Sequence, residues 1–169
     1  VLAEDIKKKV TKKTKAILIG YPNNPTGAVM PRAELEKIAS IAEQHNLIVI
    51  SDEVYERLVY DTEAVCFASI PNMRDRTISL GGFSKSYAMT GWRIGYACSN
   101  NQIIEAMMKI HQYTMLCAPI QGQVAAIEAL RTGNSFVEEM REEYGRRRNL
   151  MVSGLNKIGL ECLEPQGAF

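Results

Sequence analysis

Two short runs that are apolar throughout instead of alternating, KAILIG and LIVI, and a third segment, TISL, that also reads as a strand constrain this chain most, because each breaks abruptly into a polar or glycine-rich loop. KAILIG at 15–20 opens into Tyr21-Pro22-Asn23-Asn24-Pro25-Thr26-Gly27, LIVI at 47–50 into Ser51-Asp52-Glu53, and TISL at 77–80 into Gly81-Gly82-Phe83-Ser84-Lys85. A strand without alternation has two faces to bury, which is the pattern of a parallel strand inside an α/β sheet. Parallel neighbours need a crossover. Residues 32–46 supply one, with apolar positions 35, 38, 39, 41 and 42 at helical spacing, Leu47 following, and Pro31 suited to the first turn. All three polar breaks then fall at the carboxyl edge of the sheet, where open α/β sheets bind ligands.

Downstream, residues 92–98 (WRIGYAC) read as a fourth strand. Helical periodicity follows at 102–113, at 120–130 behind Pro119, and along a charged amphipathic stretch from 135 to about 158. Residues 159–163 read as the first strand of another layer. The fold class is therefore α/β: part of a mostly parallel sheet flanked by helices, with the start of a small C-terminal domain. Residues 1–15 read as a polar helix or linker. A chain of 169 residues with 46% hydrophobic content can bury one ordinary core.

Charge narrows the function. Twenty basic and 19 acidic residues leave a net charge of +1, so no global field recruits nucleic acid or an anionic membrane. No apolar run reaches the roughly 20 residues of a membrane span, and no secretory leader is visible. Cys66, Cys98, Cys117 and Cys162 form no CxxC pair and no metal-ligand spacing with His45 or His111. They read as reduced, mostly packed residues of a cytoplasmic protein, with no metal site. The chain starts at Val1 and stops just after the turn-like Glu164-Pro165-Gln166-Gly167-Ala168, as a piece of a longer protein would.

The strand-end residues share a chemistry. Asn24, Asp52 with Tyr55, Lys85 with Ser84, and Arg93 are the residue types that would hold a phosphorylated, aldehyde-bearing pyridine. Taken singly, each has an ordinary alternative: NNPTG is a good turn, Asp52 a good helix cap, and Lys85 one lysine among many. Together, NNPTG, SDEVY and GGFSKSYAMTGWRIG resemble, in family order, the three signatures of class I/II aminotransferases of the fold-type-I pyridoxal-phosphate superfamily, aspartate/aromatic-like.

That resemblance implies pyridoxal 5'-phosphate as cofactor and transamination between an amino acid and a 2-oxo acid, aspartate or an aromatic amino acid being the expected donor. It implies Lys85 as the residue that forms the Schiff base and later shuttles a proton. Asp52 would hold the ring nitrogen protonated, which keeps the cofactor an electron sink. Asn24 and Tyr55 would donate to its O3′, Val54 would pack on a ring face, and Ser84 and Arg93 would bind the phosphate. Some family members have serine three residues before the lysine; here Gly82 stands there, so a backbone N–H would replace that contact. The family commonly has a cis bond before the NNPTG proline, which makes Asn24-Pro25 the expected cis position. Tyr87, Trp92 and Tyr96 read as packing residues.

The same resemblance divides the chain into part of a large cofactor-binding domain (1–133), a long interdomain helix (134–158) and the start of a small domain (159–169). It implies a homodimer in the full-length form. It also implies that the ring-stacking aromatic and the arginine for the substrate carboxylate lie outside this stretch, which alone would be inactive. Carbon–sulfur β-lyases and aminocyclopropane-carboxylate synthases share these motifs, and so does a non-catalytic pyridoxal-phosphate sensor domain of a transcription regulator.

Overall fold

The computed structural model describes residues 2–168. Four strands form one sheet in the order β1 (Ala16–Gly20), β2 (Ile48–Asp52), β3 (Thr77–Gly82) and β4 (Gly95–Cys98). The first three run parallel and β4 is antiparallel to β3. Gly20 lies opposite Asp52 and Asp52 opposite Leu80, so the carboxyl ends of the parallel strands finish level. That alignment places the three polar breaks side by side.

The crossover from β1 to β2 is helix α2 (Arg32–Gln44), which starts behind Pro31. It ends where Asn46 takes the left-handed conformation (φ 49°). There the Leu47 N–H donates to Ala42 O (2.8 Å) and the Asn46 N–H to Glu43 O (3.2 Å). This paired closure satisfies two carbonyls that a helix end otherwise leaves open. The inner face of α2 puts Leu35, Ile38 and Ala42 on Ile17, Ile19 and Val49 of the sheet, with Phe67 and Met73 closing the core. Helix α1 (Ala3–Lys9) packs on α2. Burial on both sheet faces, expected from the sequence, holds on one: Leu18 points away from α2 and is 72% exposed.

Beyond β3 the chain makes a one-turn helix, α3 (Phe83–Ser86), then α4 (Asn101–Thr114), α5 (Ile120–Thr132) and α6 (Asn134–Lys157). Asn100 caps α4, its side chain accepting from the Ile103 N–H at 3.0 Å. Several details differ from expectation. The fourth strand begins at Gly95 and not at Trp92, because Thr90–Trp92 is a 3₁₀ turn and Arg93 follows at φ 51°. Residues 159–163 form no strand; Gly159 turns the chain at φ 83° and the segment 165–168 folds back on the sheet's carboxyl edge. The cysteines are less packed than expected: Cys66, Cys98 and Cys117 are exposed, Cys98 on the outermost strand and Cys117 between α4 and α5. Trp92 and Tyr96 are also about half exposed, on a loop and an edge strand that nothing covers on their outer side. Tyr87 does pack, 5.4 Å from the Phe83 ring. Among the described residues no helix is long and apolar enough to cross a membrane.

Candidate active site

The carboxyl edge is assembled from three segments, one after each parallel strand. After β1, the loop 21–27 contains two cis peptide bonds, Asn24-Pro25 as expected and Tyr21-Pro22 in addition. The Asn23 side chain holds the loop, its Oδ1 accepting from Thr26 Oγ1 at 2.7 Å, while the Gly27 N–H donates to Asn23 O at 2.8 Å. Asn24 thereby projects from the loop, and its Nδ2 donates to the Tyr55 hydroxyl at 3.0 Å.

After β2, strand alternation sends Ser51 and Glu53 to one face and Asp52 to the other. Glu53 is buried, and its Oε1 accepts from Ser51 Oγ and from the Phe67 N–H, each at 2.8 Å. Its backbone N–H donates to Leu80 O (2.9 Å), tying the end of β2 to β3. Asp52 is left exposed at the strand end, accepting from the Val54 N–H at 3.2 Å. Two consecutive turns follow, Glu56 N–H to Glu53 O and Leu58 N–H to Tyr55 O, both 2.9 Å, and they bring the Tyr55 ring back over the sheet edge. The signal for the Glu53 anchor was present in the sequence as a carboxylate with the parity of buried Val49 and Ser51, but parity alone does not reveal its partners.

After β3, Lys85 sits in α3 and not in a loop, its Nζ 5.7 Å from the Tyr55 ring centroid. Ser84 is half-buried beside it. Gly82 is extended and has room for a side chain, since an added Cβ would make only ordinary contacts, with Val54 Cγ2 at 3.5 Å, Ile94 O at 3.6 Å and Gly95 Cα at 3.7 Å. Its lack of a hydroxyl is therefore a chemical difference and not a steric need. The segment 83–94 folds on itself, with the Met89 N–H donating to Phe83 O (3.2 Å) and the Phe83 N–H to Ile94 O (3.4 Å). Arg93 is exposed at its end, and one guanidinium nitrogen donates to Thr90 O at 2.8 Å, leaving the rest of its fork facing outward. Asn24, Tyr55 and Lys85 are thus joined by direct contacts, Asp52 ends β2 with Val54 two residues on, and Arg93 follows the 3₁₀ turn after α3.

On the sheet face that carries Glu53, Glu56 has its carboxyl pushed above the usual range by burial and by Glu53 nearby. Burial, with Glu56 adding to it, raises the Tyr96 phenol to about 12. Both shifts favour the protonated forms, as burial of a group that ionises to an anion does.

Gly27 combines a steric and a conformational need for glycine at this edge. Gly27 has φ +67°, and a Cβ there would lie 2.2 Å from Pro165 Cβ. Gly27→Ala is expected to cost about 1–3 kcal/mol through overpacking and backbone strain, read as a lower urea midpoint at unchanged slope.

The chain is 52% identical over 167 residues to the putative aminotransferase YugH of Bacillus subtilis, covering 99% of this chain and 43% of that protein. It is 49% identical over 169 residues to the aspartate aminotransferase of Pyrococcus abyssi, again covering 43% of the relative. Among solved structures, the N-succinyldiaminopimelate aminotransferase of Mycobacterium tuberculosis superposes with a TM-score of 0.97 at 36% identity, over all of this chain and 44% of that one. The chain spans less than half the length of the relatives it matches. The family described as aminotransferase class I and II matches residues 1–169 without a gap at either end, and with these identities and this fold the chain belongs to that family.

Proposed function

We propose that the full-length protein is a pyridoxal-phosphate-dependent aminotransferase that moves an amino group between an amino acid and a 2-oxo acid, with aspartate or an aromatic amino acid as donor. The observation that carries this reading is the convergence of an amine, a carboxylate and two neutral donors at one sheet edge. Asn24 Nδ2 lies 3.0 Å from the Tyr55 hydroxyl, Lys85 Nζ stands 5.7 Å from the Tyr55 ring, and Asp52 ends the adjacent strand. These groups match a cofactor with an aldehyde, a phenolic oxygen and a ring nitrogen, so the donor set fits pyridoxal phosphate. The donor preference draws on the aspartate and aromatic aminotransferases among the relatives.

When bound, pyridoxal phosphate supplies an aldehyde that captures an amino group and a protonated ring that takes up the electron pair left at the substrate α-carbon. The chain's own residues do the rest. Lys85 Nζ would hold the aldehyde carbon and, once free, would take the substrate's α-proton and pass it to the carbon that had carried the aldehyde. Asp52 accepts from the ring N–H and keeps that proton in place. Tyr55 and Asn24 donate to the phenolic oxygen and favour its anion. Val54 covers a ring face, while Ser84 and Arg93 hold the phosphate, the outward part of the Arg93 fork being suited to two oxygens at once.

In this reading residues 1–133 are part of the large cofactor domain, 134–158 the interdomain helix and 159–169 the start of the small domain. The full-length protein is a cytoplasmic homodimer, in keeping with four unpaired cysteines and with the exposed apolar side chains Ile110, Tyr113, Leu116 and Ile120 around the α4–α5 turn. Amino-donor screening of the full-length protein with 2-oxoglutarate tests it: formation of glutamate from aspartate or an aromatic amino acid is expected. Release of ammonia and pyruvate from a cysteine conjugate without glutamate would mark a β-lyase instead.

A further inference from the structure

At its start the loop that bears Asn24 is tied to the end of β2, the Tyr21 N–H donating to Asp52 O at 3.2 Å. Farther along, the segment Pro165–Ala168 stands between it and the turn that bears Tyr55 and bonds to both. Gly27 O accepts from the N–H groups of Gln166 and Gly167, each at 2.8 Å. On the other side the Tyr60 N–H donates to Gln166 O (2.8 Å) and the Ala168 N–H to Leu58 O (2.9 Å). The Tyr60 hydroxyl donates to Ala168 O at 2.6 Å. The fit is tight: Gly27 has no room for a Cβ against Pro165, and a Cβ on Gly167 would lie 2.8 Å from Pro22 Cβ. Ala168 also packs in one cluster with Tyr55 and Leu58. Shifting this strap moves both segments.

One side chain of α6 fastens the strap. Arg148, with its side chain only 10% exposed, donates to Pro165 O at 3.2 Å and pairs with Asp61 at 2.7 Å, with Glu164 at 3.6 Å. Its guanidinium lies over the Tyr60 ring, 4.9 Å from the centroid. A planar fork spends its donors on two segments at once and stacks as well, which lysine cannot reproduce. The remaining charges on that stretch of helix, Arg146 and Arg147, both bond to Glu143 on the exposed side and take no part.

We infer that Arg148 is a positioning residue for the cofactor's phenolic oxygen: it latches the Pro165–Ala168 strap, and the strap sets the distance between Asn24 and Tyr55. This rests on the proposed assignment of those two donors, although the latch itself does not. It also makes α6 mechanically continuous with the site, so that a displacement of the helix reaches the Asn24–Tyr55 pair through four backbone hydrogen bonds.

The test uses the full-length protein and three variants, Arg148→Ala, Arg148→Lys and Asp61→Asn. Asp61 is exposed and sits at φ 57°, which asparagine accepts, so Asp61→Asn keeps the fold while removing the ion pair. Amide exchange of a peptide covering 22–29 is measured without cofactor. Arg148→Ala should raise it about tenfold, the scale of one lost charge-assisted contact, with Asp61→Asn and Arg148→Lys in between. With pyridoxal phosphate added, the pH midpoint of the visible absorbance should shift upward in the same order, since a loosened donor pair stabilises the anionic oxygen less. Unchanged exchange in Arg148→Ala overturns the latch. Faster exchange with an unmoved midpoint overturns the link to the donors. If borohydride fails to fix pyridoxal phosphate on the unaltered protein, the functional reading fails and the exchange result still judges the latch.

Discussion

Replacing Lys85 with alanine in the full-length protein is expected to lower transamination by ~10⁴-fold or more, the upper range of what a positioned proton-transfer group contributes, before counting the lost attachment point. The amine stands alone in its type at the sheet edge, carried on the single turn of α3 and held against the Tyr55 ring at 5.7 Å. The other lysines stand elsewhere: Lys7, Lys8 and Lys9 end α1, Lys12, Lys13 and Lys15 precede β1, Lys37 pairs with Glu34 on α2, and Lys109 and Lys157 lie on α4 and α6. Folding should survive the change, because Lys85 is half-buried and the α3 turn is closed by backbone bonds from Tyr87 and Met89 to Phe83 O. Single-turnover kinetics with a fixed donor would check both statements, the rate collapsing while the melting curve stays in place. A loss below tenfold would remove Lys85 from the chemistry.

The second large effect concerns Asp52. Asp52→Ala is expected to reduce kcat on the order of 10³-fold, the scale of deleting one preorganised electrostatic partner, with a much smaller loss of cofactor affinity. Position explains the asymmetry. Asp52 is fixed from behind by Glu53, whose carboxylate holds Ser51 and the Phe67 N–H while its backbone bonds to Leu80. The carboxylate therefore arrives at the site already oriented, and the other cofactor contacts do not depend on it. Isotope labelling of the donor α-proton checks the assignment: Asp52→Ala should make proton removal fully rate-limiting, and an unchanged isotope effect at unchanged rate would contradict it.

Much of this site could be read from the residues because the deciding information is local. A short apolar run of four to six residues that breaks into a turn-forming loop such as NNPTG reads as a buried strand, and the carboxyl end of a parallel strand is then a binding edge. That logic places Asn24, Asp52, Tyr55 and Lys85 at strand ends, while the roles expected of them come from the resemblance to the aminotransferase signatures. What could not be read depends on contacts distant in sequence. The helical state of Phe83–Ser86 requires the return of Ile94 to Phe83, and the left-handed Arg93 is set by the preceding 3₁₀ turn. Residues 159–163 read as a strand in the sequence and form none, and the segment that follows is placed by Gly27 and Tyr60, more than 100 residues upstream, which bind residues 166–168. Exposure of Leu18, Trp92 and Tyr96 was likewise invisible, because apolar content reports what a strand or loop can bury and not whether a neighbour is there to cover it.

The most direct measurement is reductive trapping. Full-length protein incubated with pyridoxal phosphate should develop a visible absorbance band, and borohydride should bleach it and leave the cofactor covalently bound. Peptide mapping should then find the mass addition on Lys85, within Phe83–Ser86, and on no other lysine. A stable label on a different lysine, or no label at saturating cofactor, would contradict the account.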